Sequence, residues 1–189
     1  MDPFSYLSFL TSIVLALGVT HLLTGLGKLL QHRGQIKLYW VHLLWTLNVF
    51  LFLLLDWWIL YRWSSQQTWT FFLFVFVLLT PIVAFLLTVL LIPEKIQDGI
   101  DLRVHFDQNR RSFFLLGALL PPLDALDTYL KGWQHFVDQG VIYPITILLL
   151  FILMLTAAFT SRRRFHAFFA CFFLVYIMIF IAINLRVLV

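Results

Sequence analysis

The chain has 189 residues, of which 62% are hydrophobic and 12% are charged, whereas an ordinary soluble domain carries roughly 25% charged residues. A globule of this size cannot bury so many apolar side chains, so the composition excludes a water-soluble fold and indicates a lipid bilayer as the solvent. The net charge of +4 does not indicate a nucleic-acid-binding protein, because no soluble basic face remains for a phosphate backbone. The single cysteine, Cys171, excludes a disulfide framework within one chain.

Six apolar runs are long enough to cross a bilayer, which takes about 20 residues. They predict an all-α fold, a single transmembrane domain over residues 1–189 in which short loops join six spans. The first run lacks a preceding basic segment and a small-residue cleavage site, so we expect a retained anchor rather than a signal peptide. The spans are expected at about 3–30, 38–62, 68–92, 112–130, 141–160 and 165–188.

The charged connections predict the orientation of the bundle. If the spans alternate in direction, the connections after spans one, three and five share a side and hold ten of the thirteen Lys and Arg residues. The positive-inside rule makes that side cytoplasmic. We therefore expect a multi-pass protein of the inner (plasma) membrane with both termini outside.

The first span carries a stripe of polar and small residues. Thr11, Gly18, His21, Gly25 and Lys28 follow one another at spacings of seven, three, four and three residues, which places them on one side of a helix. His21, Thr24 and Lys28 are the expected members of an intramembrane polar site on this span. One interpretation is a packing seam in which His21 donates to a carbonyl of the next helix. The other is a site that binds a ligand or handles protons.

The second span continues this intramembrane polar site with His42, Thr46 and Asn48. At 1.5 Å per residue, His21 and His42 both lie roughly 8–10 Å from the basic side. Two imidazoles at one depth on adjacent antiparallel helices are expected to meet. Such a pair would suit a transmembrane haem b, a bound metal ion or a hydrogen-bonded pair.

Three short motifs resemble one known group of proteins. They are Gly25-Leu26-x-x-Leu29-Leu30, Tyr39-Trp40-x-His42-Leu43-Leu44-Trp45 and Asp101-Leu102-Arg103-x-His105-Phe106. Over about the first 115 residues, the chain is similar to a group of uncharacterised bacterial six-helix integral membrane proteins. The resemblance implies a six-helix membrane fold and no particular activity.

Charged residues are also expected at the outer rim of the bundle. Asp56 and Arg62 predict an interfacial ion pair. Asp124 and Asp127 lie three residues apart, hence on one helical face, and either pair with Arg186 or line an outward vestibule that attracts cations.

Two cytoplasmic segments suggest partners. Residues 93–111 combine balanced charge with apolar residues four apart, which predicts a short helix on the membrane surface and a docking site for a soluble partner. Arg162, Arg163 and Arg164 form a tight turn that forces an antiparallel hairpin. They are expected to attract anionic lipid headgroups, at about 1 kcal/mol for each arginine.

Three functions remain open at this point. The chain has no G-x-S-x-G with a partner histidine, no H-E-x-x-H and no P-loop, which favours a non-enzymatic function. The first function is a small transporter or channel for ions or small solutes, acting as a homo-oligomer. The second is a non-catalytic subunit or sensor of a membrane complex that docks a partner through residues 93–111. The third is an electron carrier that holds haem b or a metal ion with His21 and His42.

Overall fold

The computed structural model describes residues 2–66, 68–95 and 99–184, and these residues confirm the predicted all-α bundle. Outside the helices, Lys37 and Asp101 form an isolated parallel bridge that ties the first long connection to the start of α4. A 3₁₀ turn, Leu60–Trp63, extends α2. The α-helices are α1 (Pro3–Gln31), α2 (Trp40–Ile59), α3 (Phe71–Leu91), α4 (Leu102–Gly117), α5 (Leu120–Leu130), α6 (Trp133–Asp138), α7 (Ile142–Phe159) and α8 (Arg163–Asn184).

Six helical segments are long and apolar enough to cross a membrane. They are Pro3–Gln31, Trp40–Trp63, Phe71–Leu91, Leu102–Leu130, Ile142–Phe159 and Arg163–Ile183. Large apolar side chains such as Phe72 and Ile142 are exposed on the outside of the bundle. The chain therefore has the architecture of a multi-pass membrane protein, because lipid tails accept such side chains and a helix bonds its own backbone groups.

The fourth span begins earlier than predicted. Instead of a separate surface helix within 93–111 followed by a span from 112, α4 starts at Leu102, after Asp101 caps it by accepting from the Arg103 and Val104 amides. Leu102 and Phe106 lie one turn apart and are fully buried. Leu102 and Phe106 therefore pack on protein rather than on lipid, whereas Val104 between them is half-exposed, and the helix continues into the bundle.

The fourth span is broken between α4 and α5. Pro121 and Pro122 lie in the first turn of α5. Since proline has no N–H, the carbonyls of Gly117 and Ala118 lose the donors that would continue the helix. The α4 helix consequently ends at Gly117, and α5 begins three residues later.

The two ends of the bundle differ in the residues that lie there. Leu29, Ile36 and Leu102 cluster where α1 ends and where α2 and α4 begin. We call this the basic end of the bundle, since the connections that hold most Lys and Arg residues lie there. Leu7 and Trp63 cluster at the opposite end, which we call the acidic end.

Helix α2 lies at the centre of the bundle and packs against α1, α3, α4 and α8. The Trp45 ring is enclosed by four phenylalanines whose ring centres lie 5.1–5.5 Å away. They are Phe113, Phe114, Phe169 and Phe173. A polar atom on the side of α2 that carries Trp45 is therefore held inside the bundle.

Candidate functional site

Helix α2 carries polar side-chain atoms that are buried and have no hydrogen-bond partner. They are His42 Nδ1, Trp45 Nε1, Asn48 Oδ1 and Asp56 Oδ2, four of the eight such atoms among the described residues. At about 100° per residue, the four side chains fall within an arc of about 120°. We call these four residues the polar face of α2. An unmade hydrogen bond in the hydrocarbon region costs several kcal/mol. Four such bonds are unmade on one side of α2.

The polar face begins at the basic end, where His42 meets the last turn of α3. That helix ends at Leu91, and Pro93 has no N–H to continue the ladder, so the final carbonyls need other donors. His42 Nε2 donates to the Leu91 oxygen at 2.7 Å. From α4, His105 Nε2 donates to the same oxygen at 3.1 Å and to the Leu90 oxygen at 3.2 Å. Two imidazoles thus cap one helix.

These bonds fix how each imidazole is used. A carbonyl oxygen only accepts, so both rings carry their proton on Nε2. The Nδ1 atom of His105 lies 3.3 Å from Asn109 Nδ2, which can donate to it. The Nδ1 atom of His42 has no such partner, so its lone pair is buried in the protein interior without a donor.

The ring beside His42 is that of His105, with 5.9 Å between ring centres. The sequence instead predicted that His42 meets His21, which is half-buried and whose Nε2 has no partner. Among the described residues, no three His, Cys, Asp or Glu side chains are close enough together to hold a metal ion. The geometry thus gives no support to the haem or metal hypothesis, and sequence reasoning missed His105.

Three other residues of the predicted intramembrane site differ in position. Thr24 and Lys28 are exposed on α1 and do not join the buried polar atoms. Thr46 is buried, and its hydroxyl donates to the His42 carbonyl at 3.0 Å. Only the α2 part of the predicted site is therefore enclosed by the bundle.

The middle of the polar face consists of Trp45 and Asn48, both fully buried. Asn48 Nδ2 donates to the Ala170 carbonyl of α8 at 3.0 Å, which leaves its Oδ1 without a donor. A cavity of about 20 Å³ lies beside Trp45 and is lined by apolar atoms, those of Gly117 and Met154 among them. An apolar cavity of this kind stays dry.

The acidic end of the face holds three neighbouring carboxylates. Trp63 Nε1 donates to Asp127 at 2.8 Å, and Lys131 forms an ion pair with the same carboxylate. Tyr143 donates to Asp124 Oδ2 at 2.8 Å. Asp56 lies within electrostatic range of both of these aspartates. The lysine of the group is thus already paired, and Arg62 is a second cation within electrostatic range of Asp124.

The ion pairs of the described residues differ from those predicted for the outer rim. The ion pairs among the described residues join Lys131 to Asp127 and Arg103 to Asp107, so the expected pair of Asp56 and Arg62 is not formed. The other expected partner, Arg186, lies outside the described residues. The structure therefore brings Asp56, Asp124 and Asp127 together without an ion pair to Arg62.

Comparison with known proteins finds no matching family model, no similar curated protein and no similar solved structure. The function is consequently argued from the polar face of α2.

Proposed function

We propose that this multi-pass membrane protein is a small transporter that moves protons along the polar face of α2. The observation that carries the proposal is the row of four buried polar atoms without partners on one central helix. From His42 to Asp56 the row extends over roughly 21 Å, at 1.5 Å per residue. A row of this length covers most of the hydrocarbon core, which is about 30 Å thick.

The four atoms suit a chain of water molecules that passes a proton. Trp45 Nε1 is a donor, whereas His42 Nδ1, Asn48 Oδ1 and Asp56 Oδ2 are acceptors. His42, Trp45 and Asn48 follow one another at about 4.5 Å along the axis, which is within reach of bridging waters. Hydration of this face would satisfy atoms whose bonds are unmade in the closed bundle.

The described conformation is closed. Val49 and Leu53 lie between Asn48 and Asp56 on the same side of α2, and both are buried. The Phe rings around Trp45 seal the centre of the bundle. Transport therefore requires a second conformation in which α2 moves relative to α4 or α8 and admits water.

The acidic end favours a cation, and the arrangement of its carboxylates favours a proton. Asp56, Asp124 and Asp127 outnumber Lys131 and Arg62, the cations within electrostatic range of Asp124, so the group attracts positive charge. The described carboxylates do not converge closely enough for a metal ion.

The alternative of a partner-docking subunit draws less support from the same geometry. Its proposed docking segment, 93–111, contributes Leu102 and Phe106 to the buried interior. Only part of that segment is therefore left on the surface for a partner.

Proton flux into liposomes tests the proposal. Purified protein is reconstituted with a pH-sensitive dye inside, and a potassium gradient with valinomycin drives protons inward. We expect the wild type to acidify the lumen. Asp56→Asn is expected to slow the flux about tenfold or more, because an additional barrier of about 1.4 kcal/mol is a factor of ten.

Asp138→Asn is the matched control. Asp138 is exposed at the end of α6 and accepts only from Gln134 among the described contacts, so its loss should leave the flux unchanged. Wild-type flux equal to that of empty liposomes would refute the proposal. Equal flux from the wild type and Asp56→Asn would remove Asp56 from the path.

A further inference from the structure

Five arginines lie at the basic end, on the parts of α4, the α7–α8 turn and α8 that face this end of the bundle. The ion pairs of the described residues involve none of them. Two lie on α4 and three lie in the turn between α7 and α8 or in the first residues of α8. They are Arg110, Arg111, Arg162, Arg163 and Arg164.

Two contacts hold the α4 arginines next to this turn. The Arg111 guanidinium lies over the Phe159 ring, 5.3 Å from its centre, and Phe159 is the last residue of α7. Phe106 and Phe114, one turn on either side of Arg110, contact the His166 ring of α8 at 5.5 and 5.4 Å. Arg110 therefore lies at the contact between α4 and the start of α8.

The Arg110 guanidinium has a donor without an acceptor. Its Nε atom is buried and has no acceptor among the described residues. A shielded guanidinium donor without an acceptor is costly. An anion with several oxygens, such as a phosphate, would supply the missing acceptor, because arginine binds phosphate through paired N–H groups.

The start of α8 needs an anion for an independent reason. The first amides of a helix lack intrahelical acceptors, and the helix dipole makes this end positive. The first turn of α8 contains Arg163 and Arg164 but no acidic residue. The carbonyl of Thr160, beside the turn, is already bonded to His166 Nε2 at 3.0 Å. Positive charge thus predominates here, since the five arginines outnumber Asp107, which lies within electrostatic range of His166.

An exposed apolar stripe continues from these arginines along α8. Phe168 lies one turn after Arg164, is 61% exposed and stacks on Phe172 with 6.1 Å between ring centres. Val175 and Ile179 extend the exposed stripe toward the acidic end. A ligand that joins a phosphate to hydrocarbon chains matches this surface, whereas a free phosphate would leave the stripe unused.

We propose that an anionic phospholipid binds between α4 and α8, with its phosphate at Arg110, Arg163 and Arg164 and an acyl chain along Phe168 and Phe172. This site is separate from the polar face of α2 and does not rest on the proposed transport. Its ligand class is a phosphodiester lipid with a net negative charge.

Native mass spectrometry of the full chain tests the site. Protein is released from nanodiscs of phosphatidylcholine alone or of phosphatidylcholine mixed with phosphatidylglycerol. We expect bound phosphatidylglycerol to be retained and phosphatidylcholine to be lost. Equal retention of the two lipids would overturn the proposal, as would displacement of phosphatidylglycerol by millimolar inorganic phosphate, which would indicate a free-phosphate site.

Three variants separate this site from general attraction to a basic surface. Arg164→Gln should lower phosphatidylglycerol retention about fivefold. Arg110→Lys, which keeps the charge but removes the paired N–H donors, should also lower it. Arg33→Gln, at an exposed arginine of the first basic connection, should leave retention unchanged. Equal losses from Arg33→Gln and Arg164→Gln would overturn the proposal in favour of non-specific attraction.

Discussion

His42 and His105 donate to one carbonyl oxygen, that of Leu91, at 2.7 and 3.1 Å. The pair joins α2 and α4 to the end of α3, where the last carbonyls have no intrahelical donors because the helix ends at Leu91. One face of α2 is thus anchored at the basic end, and further along it carries unpartnered atoms of Trp45, Asn48 and Asp56.

The shared acceptor predicts that the two histidines are coupled energetically. His42→Ala should lower the free energy of unfolding by about 1–3 kcal/mol, because a buried hydrogen bond is lost. In either single variant Leu91 retains one donor, but in the double variant it has none. The double variant should therefore lose about 1 kcal/mol more than the sum of the single variants.

Unfolding in mixed micelles with increasing dodecyl sulfate, followed by circular dichroism, measures this coupling. His32→Ala serves as the control, since His32 bonds within its own turn to the Lys28 carbonyl. Additive losses from His42→Ala and His105→Ala would contradict a shared acceptor.

Two glycines of α1 predict opposite effects of the same substitution. A Cβ at Gly25 would lie 2.6–2.8 Å from three side-chain atoms of Ile92, so Gly25→Ala should push α1 away from the end of α3 and lower stability. A Cβ at Gly27 meets nothing within 4 Å. Gly27→Ala should be neutral or stabilising by up to about 1 kcal/mol, because alanine favours helix.

Thermal unfolding of the two variants in one detergent measures this difference. Ile92→Ala combined with Gly25→Ala should recover part of the lost stability, since it removes the atoms that clash. Equal unfolding temperatures for Gly25→Ala and Gly27→Ala would show that α1 does not approach Ile92 this closely.

The two buried tryptophans predict different responses to phenylalanine. Trp63 Nε1 donates to the Asp127 carboxylate at 2.8 Å, so Trp63→Phe should cost about 1.5–3 kcal/mol for the bond to a charged group. Trp45 Nε1 has no partner in the closed bundle, so Trp45→Phe should lose packing alone. The unfolding free energies of the two variants test these assignments. A larger loss of stability for Trp45→Phe than for Trp63→Phe would contradict them.

The six spans could be predicted from the sequence because bilayer thickness dictates the length of an apolar run. The fifth span, expected at 141–160, is Ile142–Phe159 in the structure. The start of α4 could not be predicted in the same way. Its first turns mix charged and apolar residues, and this pattern does not tell whether the apolar side packs on lipid or on protein.

The polar site could be predicted only in part. His42, Asn48 and Asp56 are polar residues within an apolar run, and that contrast is visible in the sequence. The role of His105 is not visible in the sequence, because its partners are the backbone carbonyls of Leu90 and Leu91 and not side chains. The short helix α6 was also missed. It spans six residues between Gly132 and Gly140, both at positive φ.

The most direct test of the central claim asks whether the polar face of α2 meets water. Cys171 is replaced by serine, and single cysteines are placed by N48C on the polar face and by L47C on the neighbouring face, where Leu47 is 43% exposed on the outside of the bundle. A water-soluble maleimide is then applied to protein in liposomes under a proton gradient. We expect N48C to react and L47C to remain unlabelled, because one faces the water-filled path and the other faces lipid. Labelling of L47C with N48C unreactive, or no labelling of N48C under any gradient, would contradict a polar path along α2.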